Sequence, residues 1–315
     1  MLLWRFRWMM YGGRLPSSKN VSVRIRRNGV DIMNELRVMS VMAHQDDFEF
    51  EAAGLFLQLR QYYGDRVKLK ILTISRGGSG HYLHDIETTA QIREKEAQAS
   101  AAIVGAEYET LTQLDGSHIP AQVFCDRNML GGLWNAIRAF APDYVIAPPI
   151  STNPLAGIHI DHQHTAEAVR LVAYQLGVPN AYPTMNGKRL LRFKLPIILN
   201  CIDNYAKEPI WHFRVNVDAF RKQKMRMLRC HKSQIEEWLP FVHNLDKARI
   251  PPWSAEEWKK QTEMHHIQRN QLCGFESEQW QEYFAITAWG GGGWNESTHS
   301  GQIKKDFPFA EWKEQ

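Results

Sequence analysis

Leu36-Arg37-Val38-Met39-Ser40-Val41-Met42-Ala43-His44-Gln45-Asp46-Asp47 is the stretch on which the reading of this chain turns. It is an apolar run too short for an ordinary helix, and it stops abruptly on polar side chains. That is the pattern of a buried strand delivering polar groups at its C-terminal end. Residues 48–63 then carry apolar side chains at helical spacing, and Val67 to Ser75 (VKLKILTIS) makes a second strand that runs into Arg76-Gly77-Gly78-Ser79-Gly80. Residues 88–104 are rich in Ala, Glu and Gln and end at Gly105, a favourable helix C-cap. A third strand follows over 108–115 and a helix over 128–140. Pro142 to Pro149 makes a fourth strand, stopped by its prolines. Strands alternating with helices of this length predict βαβ units, hence an α/β fold with a mainly parallel sheet and helices on both faces.

From about residue 185 the pattern loosens. A strand pair is expected from 189–200 and 210–216, a helix near 218–231, and a Trp-rich remainder from about 250. The tract Ala288 to Gly301 (AWGGGGWNESTHSG) is of low complexity and reads as a loop. At the other end, MLLWRFRWMMYGG carries basic residues inside its apolar stretch and lacks a small-residue cleavage site, so it makes a poor signal peptide. Residues 1–33 are therefore expected to be a disordered leader or a mis-assigned start, with the domain beginning after Met33.

Composition narrows the function classes. A hydrophobic fraction of 44% with 23% charged residues is ordinary for a globular chain, so neither a disordered nor a fibrous architecture is indicated. The net charge of +4 is small for 315 residues and, beyond the first thirty, bases alternate with acids, so nucleic acid is not an expected partner. No run reaches the roughly 18–20 apolar residues of a bilayer span, so no integral membrane segment is expected. Cys125, Cys201, Cys230 and Cys273 are far apart and form no CxxC pair, which favours a reducing, cytoplasmic setting over a disulfide framework. Self-association stays open.

The chemistry is concentrated in two clusters. His44 and Asp47 sit three apart at the end of the first strand, and His159-Ile160-Asp161-His162 follows the fourth, at the start of a helical pattern. Ligands lie beyond the carboxyl ends of strands in such sheets, so both clusters fall on the same edge. Either alone could be a helix cap. Together they supply the two histidines and one carboxylate of an open catalytic zinc site. The neighbouring carboxylates Asp46 and Asp47 can then divide the labour, one binding metal and the other taking a proton from the attacking water.

These residues resemble the PIG-L/LmbE-like N-deacetylases. Ala43-His44-Gln45-Asp46-Asp47 is similar to that family's His-Pro-Asp-Asp motif and His159-Ile160-Asp161-His162 to its His-x-Asp-His motif. Arg93-Glu94-Lys95-Glu96 with Gly105, Leu114-Asp115-Gly116, and Lys224 with His231-Lys232-Ser233-Gln234 correspond to further family elements in the family's order, over about residues 36–240. The resemblance implies a Rossmann-like domain without a nucleotide. It implies zinc, or Fe2+ or another divalent ion, held by His44, Asp47 and His162, with Asp46 as general base. His159 would stabilise the oxyanion or protonate the leaving amine, oriented by Asp161, while Arg93 and Asp115 would contact an amino-sugar substrate. The implied activity is removal of the N-acetyl group from an N-acetylglucosamine-type sugar or conjugate, the alternative being an amidase acting on a thiol-sugar conjugate or other small amide. On that reading 34–240 is the deacetylase domain, and 241–315 a Trp-rich extension packed on it.

The chain departs from the family pattern at Gln45 for proline, Phe48 for glutamate, and Glu51 and Ala53 for glycines, with Gly54 retained. Gly157 stands where some members have a tyrosine. Other signals are read as ordinary structure. The 76–80 loop lacks the Walker lysine and the dinucleotide glycine spacing, and is expected to be flexible. His81, His84, His265 and His266 are expected to be solvated, and His164 to be structural. The tryptophans 253, 258, 280, 289, 294 and 312 are candidates either for a sugar-stacking wall or for core.

Overall fold

The first strand forms as expected. In the computed structural model, which describes residues 35–314 apart from 188, 246–252 and 291–295, β1 spans Leu36–Met42. The leader expected over 1–33 lies outside the described residues. Alternate side chains of β1 enter different cores: Val38 and Met42 pack on one face of the sheet, Met39 and Val41 on the other. This is the period-two geometry of a strand buried on both sides.

The chain then runs through α1 (Asp47–Glu51), α2 (Ala53–Tyr63), β2 (Val67–Thr73), α3 (Ile86–Val104), β3 (Glu107–Thr110), α4 (Arg127–Phe140), β4 (Tyr144–Ala147), α5 (Ile160–Gln175), β5 (Ile197–Cys201), β6 (Phe213–Asn216) and α6 (Arg221–Cys230). A π-helical turn at Ser233–Trp238 leads into α7 (Leu239–Val242), followed by α8 (Ala255–Leu272), β7 (Gln281–Ile286), α9 (Glu296–Asp306) and β8 (Glu311–Trp312). The strands make one eight-stranded mixed sheet, ordered β3-β2-β1-β4-β5-β7-β6-β8. The β3-β2-β1-β4-β5 part is parallel, and β7, β6 and β8 add antiparallel pairs. Phe56, Val104 and Met227, from α2, α3 and α6, cover one face, and Leu133, Trp134, Val169 and Val172, from α4 and α5, cover the other. The α/β expectation with helices on both faces therefore holds. The strand order reverses between β1 and β4, which makes the space beyond their carboxyl ends the topological switch point.

Details of the C-terminal half differ from the sequence reading. The segments expected to pair as neighbours, β5 and β6, are separated by β7, a strand contributed from beyond residue 280. The tract read as a loop ends in a helix, since α9 begins at Glu296. Its Gly-rich composition masks the helix, while buried Ile303 and the Phe307 beyond it anchor the segment in the core.

A buried ion pair ties this late strand to the front of the molecule. Lys224 Nζ lies 2.6 Å from Glu282 Oε1, both side chains fully buried. The same carboxylate accepts the Gly54 and Leu55 amides at 2.8 and 2.7 Å, capping the N-terminus of α2. Gly54 is required by this approach: a Cβ there would meet Val217 Cγ1 at 2.4 Å and Glu282 Oε1 at 2.8 Å.

Candidate active site

The turn after β1 and the N-terminus of α5 bring the two sequence clusters together. His44 Nδ1 lies 3.2 Å from His162 Nε2 and 3.6 Å from Asp47 Oδ2, and His162 Nε2 lies 3.4 Å from Asp47 Oδ1. The remaining groups on His44 and Asp47 orient them. His44 Nε2 donates to Asp161 Oδ2 at 2.9 Å, which turns Nδ1 inward, and Asp47 Oδ2 accepts the His44 amide at 2.8 Å.

A divalent ion fits this donor set. Bonds of about 2.0–2.1 Å in tetrahedral geometry put ligand atoms about 3.3 Å apart, and the three separations bracket that value. Two imidazole nitrogens facing each other and one carboxylate satisfy one another poorly without a cation. Burial would push the His44 imidazole down, but the charge of Asp47 and the hydrogen bonds to Asp161 and Asp47 outweigh it and hold the group up at about 9. Burial likewise opposes ionisation of Asp47, yet His162 and His44 keep its carboxyl well below the usual range. In effect a proton held on His44 occupies the place of a metal charge.

Asp46, the expected base, is held by Arg93 of α3. Its Oδ1 accepts from Arg93 Nη2 at 2.5 Å, and Arg93 Nη1 donates to the Gly77 carbonyl at 3.1 Å. Arg93, expected to touch substrate, is 3% exposed, and its guanidinium is engaged by the protein itself. The 76–80 loop is packed around it rather than free: Gly77 has φ +64°, and a Cβ there would meet Gln45 Oε1 at 2.4 Å and Arg93 Nη1 at 2.7 Å. Gln45, in the place of a proline, donates through Nε2 to the Ser75 carbonyl at 3.0 Å and so closes the same loop.

His159 stands beside both histidines, its ring centroid 5.0 Å from that of His44 and 5.1 Å from that of His162. The expectation that the Asp161 carboxylate orients His159 is corrected by the structure. That carboxylate serves His44 and the Val123 amide, whereas His159 Nδ1 accepts the Asp161 backbone N–H at 3.2 Å as the N-cap of α5. Burial, then the nearby charges of His44 and His162, lower the His159 imidazole below its usual value. With Nδ1 accepting, the neutral ring carries its proton on Nε2. Asp115 is exposed and is taken up by its own turn, accepting from the Ser117 amide and hydroxyl at 2.9 and 2.7 Å.

Several expectations for other residues change. His81 is buried and donates to Glu237 at 2.7 Å while its Nδ1 accepts the Leu83 and His84 amides. These three, His81, His84 and Glu237, could also approach one ion, but 2.7 Å is a hydrogen-bond separation, and the cluster fastens the 81–84 loop to the π-helical turn. His266, expected in solvent, is buried and stacks on Trp280 at 4.3 Å, and burial drives both it and His265 well below their ordinary values. His164 is structural, paired with the Val123 carbonyl at 2.6 Å. The tryptophans divide: Trp253 and Trp258 line the cavity beside the candidate metal group, Trp280 is core, Trp289 and Trp312 pack against core clusters, and Trp294 lies outside the described residues.

Sequence reasoning missed Glu49. It is buried, accepts from the Ser100 hydroxyl, and lies 3.2 Å from His231 Nε2, joining α1 to α3 and to the end of α6. The available signal was an acid flanked by phenylalanines (Phe48-Glu49-Phe50) on an otherwise apolar helical face, which requires a buried partner.

Residues 39–173 match the PIG-L family, described as GlcNAc-PI de-N-acetylase. Over those residues the chain is similar to the PIG-L family. The matched residues include both site clusters, most of β1, all of β2 to β4 and most of α5. Among solved structures, the fold is similar to N,N'-diacetylchitobiose deacetylase from Pyrococcus horikoshii, with a TM-score of 0.57 and 18% identity over 80% of this chain and 83% of that one. A conserved protein from Thermus thermophilus gives a TM-score of 0.53 and 20% identity over 81% and 94% of the two chains. The 4-carboxy-2-hydroxymuconate hydratase from Pseudomonas putida gives 0.52 and 17% over 80% and 96%. No curated protein matches the chain significantly. The solved structures of similar fold include both a deacetylase and a hydratase, so function has to be argued from the site.

Proposed function

We propose that this protein is a metal-dependent hydrolase that removes the N-acetyl group from an N-acetylglucosamine-type amino sugar or its conjugate. The observation that carries the reading is the convergence of His44 Nδ1, Asp47 and His162 Nε2 to within 3.2–3.6 Å, with Asp46 adjacent in sequence. The PIG-L match supports it, as does a similar fold in a protein described as a diacetylchitobiose deacetylase. His44, Asp47 and His162 would hold the ion, zinc in the first instance. When bound, the ion supplies Lewis-acid polarisation of the amide carbonyl and a lowered pKa for the attacking water.

The chain's own residues do the rest. Arg93 fixes Oδ1 of Asp46, which leaves that carboxylate oriented to take the proton of the attacking water as general base. Asp161 holds His44 in the tautomer that presents Nδ1. His159, neutral and with its proton on Nε2, donates a hydrogen bond to the oxygen on which charge develops and stands near the departing amine. Arg93 acts as a positioning residue on Asp46.

The experiment is incubation of the metal-reconstituted protein with a panel of N-acetylglucosamine derivatives, scoring acetate and free amine together. Equimolar release of both is expected. Addition of water to an unsaturated acid, with no amide cleaved in the panel, would replace the deacetylase reading with a hydratase one.

A further inference from the structure

The cavity beside the candidate metal group has a volume of about 540 Å3, within the range of small-molecule sites and more than an acetamide needs. Its floor is formed where β1 and β5 end, by Met42, Cys201 and Ile202. The chain after α6 contributes an apolar wall: Ile235, Leu239, Trp253, Trp258 and Met264. Phe50 from α1 completes an apolar surround.

The charges are as informative as the apolar wall. Among the described residues that line the cavity there is no lysine or arginine. Its acids are already engaged: Glu51 pairs with Arg269, and Asp203 accepts the Thr152 and Tyr205 amides at 2.9 Å each. His265, which also lines it, is held in the neutral form by burial and by Arg269 and Lys224. The described lining therefore offers an anionic substituent no lysine or arginine to pair with, while it offers an apolar one a continuous surface.

We infer that the amino sugar processed here carries an uncharged apolar substituent, an alkyl or aryl aglycone, which lies in this cavity while the acetamide meets the His44–Asp47–His162 group. The inference rests on the deacetylase reading and deepens it. Trp253 and Trp258 then act as the wall against which the aglycone packs, and Met264, exposed and unbranched, adapts to its shape.

The test uses the full chain reconstituted with zinc. Methyl, butyl and octyl 2-acetamido-2-deoxyglucosides and N-acetylglucosamine 1-phosphate are titrated by calorimetry, and acetate release is followed in parallel. Each methylene taken out of water should tighten binding about fourfold, so butyl should bind at least about tenfold more tightly than methyl, and the 1-phosphate most weakly. Met264→Glu, at an exposed position of α8, should cut the butyl-to-methyl ratio at least about fivefold. Equal affinity for methyl and octyl glycosides, or tightest binding of the 1-phosphate, would overturn the inference. The two readings fail separately. Chain-length-dependent binding without acetate release keeps the apolar subsite and removes the deacetylase, whereas equal binding with acetate released from every glycoside does the reverse.

Discussion

At the residue scale the site is a set of shared protons and charges, and its behaviour with pH follows from them. Held at about 9 by Asp47 and Asp161, His44 is protonated at neutral pH in the metal-free protein and must lose that proton before Nδ1 can bind an ion. Metal binding should therefore release about one proton at pH 7, and the apparent affinity should rise about tenfold per pH unit between pH 6 and 8. Calorimetry in buffers of different ionisation enthalpy measures this, and a pH-independent affinity would contradict it. Asp161→Asn should weaken metal binding by about 10–100-fold, because the residue's work is to hold a ligand in its tautomer. Asp46→Asn should instead keep the metal and lose about 10²–10⁴-fold in kcat. Equal metal loss in both variants would mean the roles of the acids are misassigned. That the two clusters meet was legible in the sequence because both follow strand ends at one edge, and the resemblance to the PIG-L/LmbE-like deacetylases singled out His44, Asp47 and His162 within them. The partners of Asp161 and Arg93 were not. A hydrogen bond that closes between positions more than a hundred residues apart, such as Asp161 to His44, leaves no local pattern.

At the scale of elements, the first half of the fold could be read directly. Its strands and helices follow the parallel βαβ rhythm, and their caps are local: Gly105 ends α3 in the left-handed conformation, with φ +66° and ψ +35°. The second half could not, because β7 takes its place between β5 and β6 from far along the chain and is antiparallel to both. What marks β7 as essential is Glu282, whose carboxylate binds Lys224 and caps α2. Lys224→Met removes the cation and leaves a buried carboxylate unpaired, which should cost about 3–5 kcal/mol. Thermal denaturation of the metal-loaded and metal-free protein measures it. Gly54→Ala should also destabilise, since the methyl group has no room between Val217 and Glu282. A melting temperature unchanged in both variants would separate α2 from β7 energetically and contradict this account.

At the scale of the whole molecule, the site belongs to the parallel strands, and the cavity is walled by the C-terminal part of the chain. The PIG-L match ends at residue 173, but the apolar wall of the cavity comes from residues 235–268, and the sheet itself is completed by β7 and β8. Removing everything after residue 245 should therefore abolish folding rather than yield a smaller enzyme, because β5 and β6 would both lose β7 as their partner. Recovery of a soluble, cooperatively melting 35–245 fragment would contradict that. No described helix is long and apolar enough to cross a membrane. The central claim is that the ion held by His44, Asp47 and His162 drives hydrolysis of an N-acetyl amide. Its most direct test is acetate release from an alkyl N-acetylglucosaminide by the same protein sample as prepared, after exhaustive chelation, and after zinc is restored. The account predicts release that falls to background on chelation and returns with about one equivalent of zinc, whereas release that persists in fully metal-free protein would contradict it.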